Sequence, residues 1–217
     1  ATGRGSVAVG HFNEDAQQDL ATCNNGPSDA TILLGQGNGS FASAVSYAVG
    51  LLPHAVVVGD FDEDGNQDLA TANLAGNSAT IRLGFGDGTF ASGVDYATGL
   101  SPRCAAVGDF NADGHQDLAT GNFNSNSATI LLGQGDGTFA TGVSYAVGTN
   151  PRGVAVGDFD GDGKQDLAVA NLGSSNVTIL SGQGNGTFVN GGTYGGVQSP
   201  FFVVVGDFNF PDRHPEH

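Results

Sequence analysis

Methionine and tryptophan are absent from this 217-residue chain, lysine occurs once, at Lys164, and there are two cysteines, Cys23 and Cys104. With no methionine even at its first position, the sequence reads as processed or excerpted, any signal peptide being already gone. The two cysteines stand at different positions of different repeats, so they are expected to remain unpaired core thiols. Cations of any kind are scarce: six Lys and Arg face 22 Asp and Glu, leaving a formal charge of −16. A surface that acidic repels nucleic acid and anionic lipid, which sets both aside as partners, and it attracts divalent cations. No apolar run reaches the length of a membrane span, so membrane insertion is not expected. Glycine, at 37 residues, is abundant enough to favour turn-rich β structure over helix.

What is present is one phrase written repeatedly. "DFDEDGNQD" (60–68) returns as "DFNADGHQD" from Asp109 and as "DFDGDGKQD" from Asp158. The aspartate of "GDF" falls at 60, 109, 158 and 207, each 49 residues after the last, with His11 in the same slot of the first unit. Phenylalanine recurs at 41, 90, 139 and 188, and tyrosine at 47, 96, 145 and 194. The units therefore run over 3–51, 52–100, 101–149 and 150–198, and residues 199–217 open a fifth. Within one unit, apolar or alternating segments at 54–61, 67–73, 79–86 and 89–99 are separated by turn residues, which predicts four short antiparallel strands. Four strands in a repeat of this length describe an all-β fold, a β-propeller of four-stranded blades: four units plus one extra strand. The Phe and Tyr slots are expected to fill the spaces between neighbouring blades.

Acids at positions 1, 3, 5 and 9 of a tight loop, with glycine at 6 for the sharp turn, make a cage for a hard cation, and the carbonyl at position 7 adds an oxygen. Oxygen donors without Cys or clustered His favour calcium over zinc or copper. The expected ligands are Asp60, Asp62, Asp64 and Asp68 with the backbone of Asn66; Asp109, Asn111, Asp113 and Asp117 with the backbone of His115; and Asp158, Asp160, Asp162 and Asp166 with the backbone of Lys164. About three Ca2+ ions are thus expected, moving the formal charge from −16 to −10. The first unit keeps Asn13, Asp15 and Asp19 but has His11 for the first acid and Ala16 for the glycine, a degenerate loop. The fifth loop has Pro211 and Pro215 at positions 5 and 9, and no metal is expected there.

With "VAVGDFDGDGKQDLAVAN" (154–171) and "LLGQGDGTF" (131–139) in view, the chain resembles the FG-GAP or VCBS-type repeats of integrin α-subunit propellers and many secreted bacterial proteins. The resemblance covers nearly the whole chain. It implies calcium in the loop joining the first and second strands, at the propeller end away from the usual ligand face, stabilising rather than catalysing. It also implies a secreted or cell-surface setting and a role in adhesion, glycan binding or as an accessory domain of a polysaccharide-acting enzyme. No enzymatic activity is expected of this chain itself: none of its five histidines has a nucleophile partner by spacing, and the paired acids belong to the loops. Two readings stand. One is a binding module for a glycan or protein ligand, on the face carrying the turns 73–79, 122–128 and 171–177 together with His54, Arg103 and Arg152. The other is a structural protein that self-associates through the apolar C-terminal strand 201–208.

Overall fold

The computed structural model describes residues 5–207. The start of the first unit and the prolines of the fifth loop, Pro211 and Pro215, lie outside the described residues. Sixteen strands and no helix are found among the described residues, arranged as four separate four-stranded antiparallel sheets. The first sheet is β1 (Val7–Gly10), β2 (Asp19–Asn24), β3 (Asp29–Leu33) and β4 (Val45–Ala48). The second is β5 (Pro53–Gly59), β6 (Asp68–Asn73), β7 (Ser78–Arg82) and β8 (Val94–Ala97). The third is β9 (Pro102–Gly108), β10 (Asp117–Asn122), β11 (Ser127–Leu131) and β12 (Val143–Ala146). The fourth is β13 (Pro151–Gly157), β14 (Asp166–Asn171), β15 (Asn176–Gly182) and β16 (Phe188–Tyr194). In every sheet the strands pair in chain order. Each first strand also contacts the next, β1 with β5, β5 with β9 and β9 with β13. They form the inner edge of the blades.

Burial follows from stacking. Strands β6, β10 and β14 are buried at all six positions, because each sheet has a neighbour on one face or both, and the closing strands β8 and β12 are largely exposed. In the first sheet β2 alternates buried with half-buried residues, as a strand does when only one of its faces is covered. The fourth strand of the second unit starts at Val94, not near 89 as the pattern suggests. The preceding "GDGTF" is held as a closed turn in which Asp87 Oδ1 accepts from Thr89 N at 2.9 Å, and Phe90 meets Gly84 only in an isolated bridge.

The repeated aromatics cement one blade to the next. Phe12 and Tyr47 of the first unit both meet Phe90 of the second edge-to-face, with centroids 5.5 and 5.3 Å apart. Phe61 and Tyr96 meet Phe139 in the same way, and Phe110 and Tyr145 meet Phe188. Each such pair contributes about 0.5–1.5 kcal/mol beyond the area it buries. At the two ends of the array the slots are open: Phe41 is 42% and Tyr194 60% exposed. Cys23 and Cys104 are buried and unpaired, as expected, and burial pushes the Cys104 thiol up to about 12.

The opening of the fifth unit, residues 201–207, lies against β13. An added Cβ at Gly153 would come within 3.1 Å of the backbone of Phe201, Phe202 and Val203. The segment stands where the inner strand of a further blade belongs, without ladder pairing among the described residues.

Candidate metal centres

Each acidic loop joins the first strand of a sheet to the second, and two positions in it have left-handed backbone. Position 6 is glycine in the intact loops, with φ of 90° at Gly65, 92° at Gly114 and 84° at Gly163, whereas Ala16 holds φ of 62° in the first unit. A side chain there is strained, which is the physical reason for glycine in the intact copies.

Two groups of three carboxylates converge. Asp60, Asp62 and Asp68 place oxygens within 4.8 Å of one another, and so do Asp158, Asp160 and Asp166. These are positions 1, 3 and 9 of the motif. In the loop between them, Asn111 replaces one acid of the corresponding trio and leaves Asp109 and Asp117 with an amide oxygen. Position 5 behaves differently from the expectation of convergence. Asp64 Oδ1 accepts from Asn66 N at 2.8 Å and Oδ2 from Asn66 Nδ2 at 2.9 Å. Asp113 accepts from His115 N at 2.9 Å and from Asn111 Nδ2 at 2.7 Å. Asp162 accepts from Lys164 N at 2.9 Å and pairs with Lys164 Nζ at 2.6 Å. The position-1 acids are oriented by the loop backbone, Gly65 N donating to Asp60 Oδ2 at 3.2 Å, Gly114 N to Asp109 Oδ2 at 3.0 Å and Gly163 N to Asp158 Oδ2 at 3.0 Å.

The donor set fits a hard divalent cation. Asp60 Oδ1 is buried and has no hydrogen-bond partner among the described residues, an orphaned anionic oxygen of the kind a cation satisfies. Burial, and then the neighbouring Asp64 and Asp60, raise the Asp62 carboxyl above its ordinary range. Burial pushes Asp68 and Asp117 up to about 6 despite the backbone donors that oppose it.

Position 9 has a second task that the motif alone does not reveal. Asp68 is fully buried and accepts from Phe61 N and from Gly84 N, both at 2.7 Å. One carboxylate thereby fastens the loop entry to the end of β7. Asp117 does the same for Phe110 and Gly133, Asp166 for Phe159 and Gly182, and Asp19 for Phe12 and Gly35. Asp19 therefore keeps a structural role in a loop that has lost its position-1 acid and its position-6 glycine. There, His11 Nδ1 lies 2.8 Å from the Gln17 carbonyl oxygen, so an imidazole joins positions 1 and 7 directly.

The glutamine before the position-9 acid links one unit to the preceding one. Gln116 Oε1 accepts from Asp60 N of the preceding unit at 2.9 Å, Gln165 Oε1 from Asp109 N at 2.9 Å, and Gln67 Oε1 from His11 N at 2.6 Å. The signal was available, since glutamine recurs at 18, 67, 116 and 165. Glu63 pairs with His115 across the same junction, and that hydrogen bond raises the imidazole pKa. Gln116→Ala leaves the Asp60 amide without its partner. It is expected to cost about 1–2 kcal/mol and to show as a lower midpoint in urea unfolding; an unchanged midpoint would mean water replaces the side chain.

On the opposite face the turn residues already have partners. Asn77 Oδ1 accepts from Ser101 N at 2.8 Å and Asn126 Oδ1 from Asn150 N at 2.9 Å, each reaching the next unit. Ser125 and Ser174 Oγ accept from Leu100 N and Thr149 N. Turn chemistry accounts for these side chains, and they define no ligand site.

Stacked four-stranded sheets with their first strands innermost and acidic loops between first and second strands define a β-propeller-like repeat protein. The sequence matches the model of the FG-GAP-like repeat four times, over residues 11–71, 60–120, 109–169 and 158–210, and the chain belongs to that family. No curated protein matches its sequence. Among solved structures, the chain is similar to an Agrocybe aegerita lectin that recognises non-reducing terminal N-acetylglucosamine (21% identity, TM-score 0.60, 89% of this chain and 52% of the lectin). It is also similar to a protein of unknown function from Desulfotomaculum acetoxidans (15%, TM-score 0.69, 93% and 59%). A third is the periplasmic gluconolactonase of Pseudomonas aeruginosa (18%, TM-score 0.67, 90% and 55%). The chain thus spans between half and three-fifths of the length of these structures, and at such identities the likeness is one of fold. No helix of the described residues is long and apolar enough to cross a membrane.

Proposed function

We propose that the chain is a calcium-stabilised binding module of a secreted or cell-surface protein, taking a glycan or protein ligand and performing no chemistry of its own. The observation that carries the calcium is the convergence of Asp60, Asp62 and Asp68 around the orphaned Asp60 Oδ1. Calcium held by these residues joins the end of the first strand to the start of the second, so its binding energy is folding energy. The ligands are Asp60, Asp62 and Asp68, Asp109, Asn111 and Asp117, and Asp158, Asp160 and Asp166. The carbonyls of Asn66, His115 and Lys164 complete them, and Asp64, Asp113 and Asp162 shape the loop from outside. Likeness to a lectin fold supports the glycan reading. Incubation of the calcium-loaded chain with an immobilised glycan panel tests it, with signal expected on a subset of glycans and lost in chelator. A panel blank in both conditions would turn attention to protein ligands.

The alternative, self-association through the end of the chain, rests on the exposure of Phe202 at 84% and Val204 at 77% beside β13. Light scattering discriminates: a monomer at high concentration removes the second reading.

The degenerate first loop offers a direct test of the ligand assignment. His11→Asp combined with Ala16→Gly restores positions 1 and 6 and relieves a left-handed alanine. The double variant is expected to bind one more calcium ion than the parent by titration calorimetry; unchanged stoichiometry would mean that Asn13 and Asp19 are not ligands in this register.

A further inference from the structure

Where the second, third and fourth sheets begin, the ladder skips one residue. Pro53 pairs with Asn73 and Ala55 with Ala72, leaving His54 over; Pro102 pairs with Asn122 and Cys104 with Gly121, leaving Arg103; Pro151 pairs with Asn171 and Gly153 with Ala170, leaving Arg152. A bulge re-aims the side chain of the extra residue and is a common device beside functional sites. These three residues occupy the same slot of successive units, on the inner strands, at the end remote from the acidic loops. Two arginines and a histidine are therefore gathered near the axis of a chain whose net charge is −16 and whose Lys and Arg total six.

They line a single cavity of about 380 Å³, with Ala55, Val57, Ala105 and Val154 as walls and Phe201 and Phe202 at one side. No Asp or Glu is among the described residues that line it. Arg103 packs its guanidinium 3.7 Å from the Phe123 ring centroid, and its Nε is buried with no hydrogen-bond partner among the described residues. Arg152 lies 4.4 Å from the Phe201 ring centroid. His54 Nδ1 is 3.0 Å from the Arg103 carbonyl oxygen, linking one bulge to the next. Burial first, and then the charges of Arg103 and Arg152, hold the His54 imidazole below its ordinary range. Burial and Arg152 lower Arg103 in turn. Like charges kept together beside a buried donor without an acceptor are complementary to an anion.

The shape of the cavity selects among anions. Inorganic phosphate carries four strongly hydrated oxygens, and those not facing a guanidinium would be turned toward methyl and ring carbons, at a desolvation cost. A carboxylate on a carbon ring presents its charge to the arginines and its C–H faces to the Val and Phe walls. The geometry points to a binding site for a small organic carboxylate of the sugar-acid class in this axial cavity, held by Arg103 and Arg152 with His54 beside them. This assignment names a ligand class for the binding module described above and rests on that reading.

The test uses the calcium-loaded, 15N-labelled chain titrated with sodium D-glucuronate. Inorganic phosphate, methyl β-D-glucoside and sodium chloride at matched ionic strength serve as comparisons. The Arg103 Nε–H resonance is expected to shift saturably with glucuronate and not with the glucoside or chloride. Arg103→Gln and Arg152→Gln are each expected to weaken binding by at least about tenfold. A silent Arg103 Nε–H, a shift reproduced by sodium chloride, or binding of phosphate in place of glucuronate overturns the assignment. Because the resonance is read in the unaltered chain, the result stands even if a variant fails to fold. Should glucuronate fail while neutral glycans on the panel still bind, the axial site falls and the module reading survives. If neither binds, the axial site and the glycan reading both fall and a protein ligand is left to the module.

Discussion

Chelating calcium is expected to lower the thermal midpoint of this chain by about 10 °C. Extracellular calcium modules have dissociation constants on the order of 0.1–1 mM. At the tight end of that range, 1 mM free calcium stabilises the fold by about 1.4 kcal/mol per site, hence roughly 4 kcal/mol for three sites. For a chain of this size each kcal/mol moves the midpoint by about 2–4 °C. Calorimetry with and without chelator reads the difference, and coincident midpoints would remove the metal from the account of stability. The effect has a pH signature. Burial pushes the Asp68 and Asp117 carboxyls up to about 6, so the folded, metal-free chain holds these protons more tightly than the unfolded chain does. Such groups support the fold while protonated, and their contribution is lost as pH rises from about 4 through 6. Calcium held as proposed would take the ionised form and offset that loss. The gap between loaded and chelated midpoints is therefore expected to be wider at pH 7 than at pH 5, and a gap that does not change with pH would separate these two acids from metal binding.

The second large effect concerns the same position without the metal. Asp117→Ala removes a fully buried carboxylate and leaves the amides of Phe110 and Gly133 without their acceptor. Two orphaned buried donors cost on the order of 3–5 kcal/mol, a large share of the stability of an ordinary domain. Saturating calcium is expected to recover none of the hydrogen-bond component. Asp19→Ala provides the comparison, because Asp19 makes the same two bonds in the degenerate first loop. If the role of position 9 is structural, Asp19→Ala destabilises to a similar extent in urea and its effect is indifferent to chelator. A neutral Asp19→Ala would instead make metal ligation the main reason for that acid.

Much of this architecture is legible in the sequence because the repeat reinforces itself. One ambiguous apolar segment such as 54–61 could be strand or buried helix; the same segment returning in register with "GDF" at its end cannot be assigned twice in different ways. The acidic loops are legible for the same reason, since the spacing of Asp60, Asp62 and Asp68 is local to one segment. What stayed hidden was what crosses from one unit to the next. Gln116 could be seen to recur, but nothing in its neighbourhood tells that its amide reaches the Asp60 backbone 56 residues away. Asp64 looked equivalent to Asp62, and only the closed turn with Asn66 separates them. The bulges at His54, Arg103 and Arg152 were equally out of reach, because a skipped pairing depends on the partner strand and leaves no mark on the strand that carries it.

Two of the links on the acidic-loop side of each junction point one way. A glutamine reaches back to the preceding loop, and the third-to-fourth strand hairpin does likewise: Gly88 N donates to Phe12 O, Gly137 N to Phe61 O and Gly186 N to Phe110 O. Every junction repeats these two links with the same donors and acceptors, so the array has a grammar in which any unit can follow any other. A duplication or deletion of 49 codons in frame would regenerate each of these contacts without altering a residue. Such a scaffold can lengthen or shorten by recombination while its surfaces diverge.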